Sequence, residues 1–561
     1  MKIQELFKSK IFYIVLFAFL LRIISFRIGE TFTASDEIYL VQNSFKPLTF
    51  LIGYPLSQYI AELFRFFNFN WGWGTLAVDT LFIFFLHLLK IPLTEATIQF
   101  PYILVGTASV YIIYLLGKKM KDEWLGLCAA LLLAITPEQV SISRSGGVNT
   151  ITSTFFFLLV LYLFFCYFKE RRYAYLSFFM LGIYFGVDLQ FYGILPLLFV
   201  LGFLLYYTGD PLKETILVLR EFLQAPKILL FFIPVFPILL AASYLWSIDF
   251  AQNSYLFHIF QKSNYWGFYV FDFASILYKN VGPLLFLLFS VSLGYTLFLL
   301  SKRKIDKMHF FVLLWFCVEV FPWFFIVDPI TTVPFDYIMH PTSALILLSA
   351  FVLYDLKNRL QNRKVLFSLI CLSIIIPTLL MTSAVVYKKI PFYKDYSLTY
   401  KEEKGKTDMN VFGTTLEIHR GSKGINTGIK SAGYYVREYA DPNAIIFSDQ
   451  ESFITEYYMG RPVVGDLDLF WEEEILASYD QWKLQANISY VYLVEKGYTD
   501  LTNRIVEDGF SPIIVVMKDD TTLGTLYGKE ALEIEVYDVG VIDPLFNQKY
   551  GNIQSLYVDY P

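Results

Sequence analysis

Two adjacent carboxylates, Asp36 and Glu37, follow the first apolar run of the chain in the stretch Thr33-Ala34-Ser35-Asp36-Glu37-Ile38-Tyr39. Carboxylates at the rim of a bilayer are costly to keep ionised unless they pair, bind a cation or move a proton. The chemistry on offer is general-base catalysis by one acid, with the other as its neighbour or as co-ligand of a divalent cation. From the loop alone the plainer reading is structural, in which Ser35 or Asp36 caps an interfacial helix whose first turn favours Glu37. Cations that would receive an anion are more scattered. Arg144, in Ser141-Ile142-Ser143-Arg144-Ser145-Gly146-Gly147, is the sole basic residue of its loop, and a guanidinium among small neighbours suits a phosphate oxygen. Its alternative is a snorkelling or helix-terminal arginine. His258, Lys262 and Lys279 fall in a later loop, 248–280, and Asp328, Asp336, Tyr337 and His340 in another, where ordinary solvated loop residues are the plain reading.

The elements that would position these groups are dictated by composition. With 56% hydrophobic, 19% aromatic and 17% charged residues over 561 positions, the chain holds more apolar surface than one water-soluble core can hide. A soluble enzyme, a disordered chain and a disulfide scaffold are excluded. Cys128, Cys166, Cys317 and Cys371 each lie in an apolar run without metal-ligand spacing and read as packing residues. Runs long enough to cross a bilayer lie at 11–28, 98–117, 124–140, 150–168, 174–190, 192–207, 228–247, 281–300, 309–327, 337–354 and 365–387, which predicts about eleven transmembrane helices.

The connecting loops alternate in charge. The clusters Lys118/Lys119/Lys121, Lys169/Arg171/Arg172, Lys213/Arg220/Lys227, Lys302/Arg303/Lys304/Lys307 and Lys357/Arg359/Arg363/Lys364 share a side with Lys2, Lys8 and Lys10. By the positive-inside rule the N-terminus is cytoplasmic and the C-terminal part is outside. Counting Gly74–Leu89 as a span would invert every later loop. That stretch, which also carries Asp79 and His87, is therefore expected to lie in the outer interface, as is 54–67, within a first outer loop of 29–97.

From 388 onward the chain turns acidic, with 17 basic against 28 acidic residues. Helical patterns at 427–439, 453–459, 472–484 and 501–507 alternate with strand patterns at 444–447, 463, 490–494 and 513–517. The expectation is two domains, 1–387 in the membrane and 388–561 a small extracytoplasmic α/β domain with a mostly parallel sheet. Three short motifs carry little. Gly72-Trp73-Gly74-Thr75-Leu76-Ala77 has no preceding strand, Asp466-Leu467-Asp468 reads as a loop, and Asn487-Ile488-Ser489 is a glycosylation acceptor only in a cell with that machinery.

The order of features resembles a known family. The acidic pair after the first span, the step Gly53-Tyr54-Pro55-Leu56-Ser57-Gln58-Tyr59, the run Thr94 to Gly106 with Gln99-Phe100-Pro101, and Ile135-Thr136-Pro137 followed by Ser143-Arg144 are similar to the GT-C-fold glycosyltransferases that use polyprenyl-phosphate sugars. They most resemble the branch of dolichyl-phosphate-mannose protein mannosyltransferases and lipid A aminoarabinose transferases. The tail, with Tyr434-Tyr435-Val436-Arg437-Glu438 and Tyr457-Tyr458-Met459-Gly460-Arg461-Pro462, resembles the outer domain of prokaryotic members. The chain departs from the family at Gln99, where an arginine is usual, at Asn149, where a second acid is common, and at Asp336-Tyr337, where the family has Arg-Tyr.

The resemblance implies inverting transfer of a sugar from a lipid-linked phosphate to a protein, lipid or polysaccharide acceptor at the outer face. It implies Asp36 as the base, with Glu37 beside it, and a divalent metal, if any, on Asp36 and Glu37. Arg144, Lys262, Lys279 and His258 would receive the donor phosphate; Tyr39, Asn149, Tyr337 and His340 would serve the acceptor or support the reacting groups. Phe64, Phe66, Phe67, Trp71 and Trp73 would line the lipid entry or simply anchor the interface. Two rival readings remain: a multi-pass transporter or flippase of envelope precursors, and an inactive relative acting as a scaffold. No nucleic acid is expected as a partner.

Overall fold

The computed structural model describes residues 9–24, 73–91, 94–144, 149–187, 191–245, 270–325 and 339–387, a few single positions between 44 and 63, and, further on, 397–401, 406–411, 414–417, 428–449, 452–465, 472–494, 498–518, 521–529 and 534–550. Helices occupy every one of the eleven apolar runs. In order they are α1 (Lys10–Ile23), then α2 (Trp73–Leu88), α3 (Glu95–Met120), α4 (Glu123–Ile135), α5 (Pro137–Ile142), α6 (Asn149–Lys169), α7 (Ala174–Val187), α8 (Phe191–Tyr206), α9 (Pro211–Phe222), α10 (Ala225–Leu245), α11 (Val270–Val281), α12 (Pro283–Ser301), α13 (Lys307–Phe325), α14 (Met339–Arg359) and α15 (Lys364–Tyr387). Four stretches, Glu95–Met120, Thr150–Lys169, Pro283–Ser301 and Lys364–Ser383, are by length and composition alone enough to cross a bilayer. The architecture is a polytopic helical membrane body followed by an α/β domain.

Local chemistry sets the helix ends. Thr94 caps α3 by accepting from the Thr97 amide while the Thr97 hydroxyl accepts in return from the Thr94 amide. Asp122 caps α4, its Oδ1 taking the Leu125 amide at 2.9 Å. The run expected as one span over 124–140 is broken. Pro137 holds Thr136 in an extended conformation (ψ 122°), so α4 stops and the short α5 starts in a new direction. Gly126 lets α3 and α4 touch backbone to backbone, since a Cβ there would stand 2.4 Å from the Tyr114 carbonyl.

The position of α2 follows from its contacts. Gly74 lies against Val187, at the end of α7, and Ile83 and Leu86 join Ile98 in one apolar cluster with Ile429, Val436 and Tyr458 of the α/β domain. Both ends of α2 therefore lie at the end of the bundle that carries that domain. Two further helices, α9 and α11, fall in stretches that the sequence reading left as loops.

The α/β domain has helices α16 (Ile429–Tyr439), α17 (Ser452–Met459), α18 (Glu472–Gln485), α19 (Asp500–Glu507) and α20 (Val539–Tyr550). Strands β1 (Ser397–Lys401), β2 (Lys406–Val411) and β3 (Thr414–Glu417) make a small antiparallel sheet. The larger sheet runs β5-β4-β6-β8-β7-β9, from β4 (Ile445–Ser448), β5 (Val463–Val464), β6 (Ile488–Val494), β7 (Ser511–Lys518), β8 (Thr521–Gly528) and β9 (Glu535–Asp538). Three of its pairings are parallel and two antiparallel, so the sheet is mixed where a mostly parallel one was expected. The cause is β8, which pairs antiparallel with both β6 and β7 and so stands between them.

Candidate functional site

The site grows from the meeting of α1, α3, α5 and α6 at the domain-bearing end of the bundle. Arg144, in the turn after α5, is wholly buried and donates from Nη1 to the carbonyl oxygens of Arg22 and Ile24, each at 2.8 Å. These are carbonyls of the last turn of α1, which have no partner within the helix. Arg22 is also wholly buried and donates to the Ala18 carbonyl at 3.0 Å. Gly106 of α3 makes room for both, because a Cβ there would stand 2.4 Å from the Ser143 Cβ and 3.2 Å from the Arg22 Nε. Two guanidiniums are thus packed inside an apolar bundle, where an unused charge is expensive.

Other polar groups share this end. Glu138, Gln139, Ser141 and Ser143 of α5 and its following turn are all fully buried, and so is Gln99 of α3. Neither amide, Gln99 or Gln139, meets a hydrogen-bond partner among the described residues. Each unsatisfied buried polar group costs about 1–3 kcal/mol, so a bundle that keeps them is built to meet polar atoms there. One level across, Tyr102 donates its hydroxyl to Asp79 of α2 at 2.5 Å and packs with Ile142 and Ile151, which ties α2, α3, α5 and α6 together.

A second buried polar knot joins α6, α13 and α14. Ser153 Oγ lies 3.0 Å from His340 Nε2, and Glu319 Oε2 lies 3.6 Å from His340 Nδ1. The imidazole rests on the Phe157 ring (4.8 Å between centroids), which also meets Trp315 at 5.2 Å and Tyr184 at 5.9 Å. Ser153 and Phe157 are one turn apart on α6, so that helix presents both to the histidine, while α13 brings Glu319 to His340 and Trp315 to Phe157.

Of the residues singled out from sequence, the structure buries Arg144 against the last turn of α1 and places His340 in the second knot. Asn149 opens α6, one turn ahead of Ser153, and Lys279 lies on α11, a helix that packs against α5. Asp36, Glu37, Tyr39, His258, Lys262 and Tyr337 lie outside the described residues, as do Phe64, Phe66, Phe67 and Trp71. Among the described residues no group of three His, Cys, Asp or Glu is arranged to hold a metal. Sequence reading passed over Arg22, Glu138, Gln99 as a buried amide, and the Asp79–Tyr102 bond. The usable signal was a charged or amide residue inside an otherwise apolar run.

The fold has known counterparts. Residues 78–240 match the family model described as dolichyl-phosphate-mannose-protein mannosyltransferase. No curated protein matches the sequence. Among solved structures, ArnT from Cupriavidus metallidurans bound to undecaprenyl phosphate superposes with a TM-score of 0.57 at 12% identity, covering 93% of this chain and 99% of that one. An oligosaccharyltransferase from Archaeoglobus fulgidus, in complex with zinc and sulfate, gives a TM-score of 0.54 at 14% identity over 87% of this chain and 68% of that one. The fold is the GT-C fold of membrane glycosyltransferases. Within that class the chain is similar to the protein mannosyltransferase and aminoarabinose transferase branch.

Proposed function

We propose that this protein is a membrane glycosyltransferase that moves a sugar from a polyprenyl-phosphate donor to an acceptor at the face carrying the α/β domain. The observation that carries the reading is the buried Arg144–Arg22 pair at the last turn of α1, the point from which the chain leads into the segment bearing Asp36 and Glu37. ArnT and the Archaeoglobus fulgidus oligosaccharyltransferase AglB, which are similar in fold, were solved with undecaprenyl phosphate and dolichol-phosphate, lipids of the class the donor would release.

In the proposed reaction the acceptor oxygen or nitrogen attacks the sugar C1 as the bond from C1 to the phosphate oxygen breaks. The bonding pair leaves with the polyprenyl phosphate, and the proton of the acceptor passes to the Asp36 carboxylate. Inversion at C1 follows from this single displacement. Arg144 neutralises the phosphate charge that grows as the bond breaks, helped by Lys279 on the adjoining helix and by His258 and Lys262. Glu37 assists Asp36 or shares a divalent cation with it. Tyr39, Asn149, Tyr337 and His340 serve the acceptor side. The basic loops put the N-terminus in the cytoplasm and the α/β domain outside.

The test is transfer by the full-length protein in lipid nanodiscs, supplied with synthetic polyprenyl-phosphate sugars and scored by mass spectrometry of the acceptor. Asp36→Asn is expected to abolish transfer while donor binding persists. Unchanged transfer would remove Asp36 from the mechanism. One observation favours the transporter reading, the Glu319–His340 pair inside the bundle, which is of the kind that proton-coupled carriers use. Proton flux that follows substrate through reconstituted vesicles, without transfer, would decide for it.

A further inference from the structure

Helix α9 is amphipathic in the inverse sense of a helix on a water-soluble surface. Leu212, Ile216, Leu219 and Leu223, at i, i+4, i+7 and i+11, form one stripe and are 71%, 57%, 45% and 69% exposed. The opposite face carries carboxylates and is buried. Glu214 takes the Thr208 hydroxyl at 2.5 Å and its amide at 3.2 Å. Glu221 takes the Tyr167 hydroxyl at 2.5 Å, Lys227 at 2.9 Å and Arg171 at 2.6 Å. Lys213 and Arg220 are exposed along one flank of the apolar stripe.

Connections fix where this helix sits. α9 is joined to α8 and α10 by a few residues at each end, so it cannot leave the bundle edge. Its Glu221 is held by Tyr167 and Arg171, at the C-terminal end of α6, whereas the N-terminal end of α6 lies with Tyr102 and Ile142 near the α/β domain. The α6 helix of 21 residues, at about 1.5 Å per residue, separates the two ends by the thickness of a bilayer core. The stripe therefore meets the leaflet opposite the α/β domain, at the depth where acyl chains give way to headgroups.

We propose that α9 is an interfacial docking helix for an anionic lipid surface in that leaflet. Its four aliphatic side chains enter the acyl boundary, and Lys213 and Arg220 reach the phosphate groups of anionic lipids. The buried Glu214 and Glu221 complete the design, because they bind the helix to the bundle and turn no negative charge toward the headgroups. This surface is independent of the transfer reaction.

The experiment places a nitroxide-bearing non-native amino acid at Ile216 of the full-length protein in nanodiscs of phosphatidylcholine, into which phosphatidylglycerol is titrated. The nitroxide is expected to be reached by oxygen and shielded from a water-soluble nickel complex. Its mobility should fall as phosphatidylglycerol is added, and each of Lys213→Gln and Arg220→Gln should weaken that response about fivefold. Quenching by nickel in the intact nanodisc would overturn the proposal, as would dipolar broadening that reports a second copy on the stripe, or a response to phosphatidylglycerol that both substitutions leave unchanged. If the labelled protein does not elute as one species, the same label at Leu219 makes the same distinction.

Discussion

Arg144 Nη1 and the carbonyl oxygen of Arg22 stand 2.8 Å apart, so one arginine closes the end of the helix on which the other sits. The bond fixes the direction in which the chain leaves α1. A lysine at 144 keeps the charge but loses the planar guanidinium whose Nη1 reaches the Arg22 and Ile24 carbonyls together. Arg144→Lys should therefore destabilise the protein by about 1.5–3 kcal/mol, the range for a hydrogen bond to a charged group, read as a lower melting temperature in nanodiscs. On the proposed mechanism it should also cut kcat by roughly 10²–10³, the cost of one lost donor to a developing anion. A melting shift with full transfer activity would confine Arg144 to a structural role.

Asp36 and Glu37 are separable by kinetics. A general base contributes roughly 10²–10⁴-fold, so Asp36→Asn should lower kcat by at least that factor with KM for the donor little changed. Glu37→Gln should reduce kcat less. If Glu37 shares a cation with Asp36, the Glu37→Gln enzyme should also need more divalent metal for half-maximal rate, which titration against a chelator would reveal. Equal and full activity in both variants would leave the two acids to helix capping.

Much of the body was legible because apolar runs of bilayer length have few alternatives, and all eleven are helical. The break at Thr136–Pro137 was written in the sequence too, since the residue before proline resists the helix, but the apolar run masked it. The reach of Arg144 to Arg22 was not legible. It depends on Gly106 allowing α3 and Ser143 to touch, a contact between distant segments that no local pattern encodes. The same holds for His340, read as a loop residue yet buried against Ser153 and Glu319. In the α/β domain, the positions of β4 to β7 were legible, whereas β1 to β3, β8 and β9 were not read as strands and the mixed order was missed with β8, because a hairpin and a crossover leave similar local patterns.

The Ser153–His340–Glu319 knot predicts strong coupling. Removing the imidazole opens a cavity against Phe157 and leaves Glu319 facing apolar neighbours. His340→Ala should cost about 3–5 kcal/mol, as for breaking a buried pair from one side. Glu319→Gln should cost less, because the amide keeps the side chain's shape and a polar atom toward the imidazole. In a double-mutant cycle followed by thermal unfolding, the two substitutions together should cost less than the sum of each alone by about 1 kcal/mol or more. Additive values would show that the two groups do not interact.

The bundle and the α/β domain are joined by a buried charge. Lys430 of α16 meets Glu95 Oε1 at 2.9 Å, the Tyr458 hydroxyl donates to the same oxygen at 3.0 Å, and Lys430 also donates to Asn547 Oδ1 at 3.0 Å. Glu95 stands at the start of α3, where the helix dipole also favours a carboxylate. Glu95→Gln removes the Glu95 charge from beside the buried Lys430 ammonium, and Lys430→Met removes the ammonium with a side chain of similar length. The first should loosen the join by about 3–5 kcal/mol and the second by less. Hydrogen exchange across 429–439 and 95–102 should report the order, with Glu95→Gln the faster. The reverse order would mean that the ion pair contributes little and that packing of Ile98 with Ile429 holds the two parts together.

Acid should act on the α/β domain through Asp508. Burial raises its carboxyl, but the bonds from Lys483 and from the Tyr479 hydroxyl, with Arg504 nearby, outweigh it and hold the group below the ordinary carboxylate value. A carboxyl with a depressed folded value stabilises the fold at pH above its unfolded value of about 3.9. That stabilisation is lost as pH falls through the folded value, because protonation ends the attraction to Lys483. The pair is partly exposed, so the effect is modest, about 0.2–1 kcal/mol. Protection factors of amides in 479–510, which discount the pH dependence of intrinsic exchange, should therefore fall between pH 5 and 3 in the wild-type protein. Asp508→Asn should exchange faster at pH 7 and change less over the same interval. Parallel pH profiles for the two proteins would assign the acid sensitivity of this domain to other carboxylates.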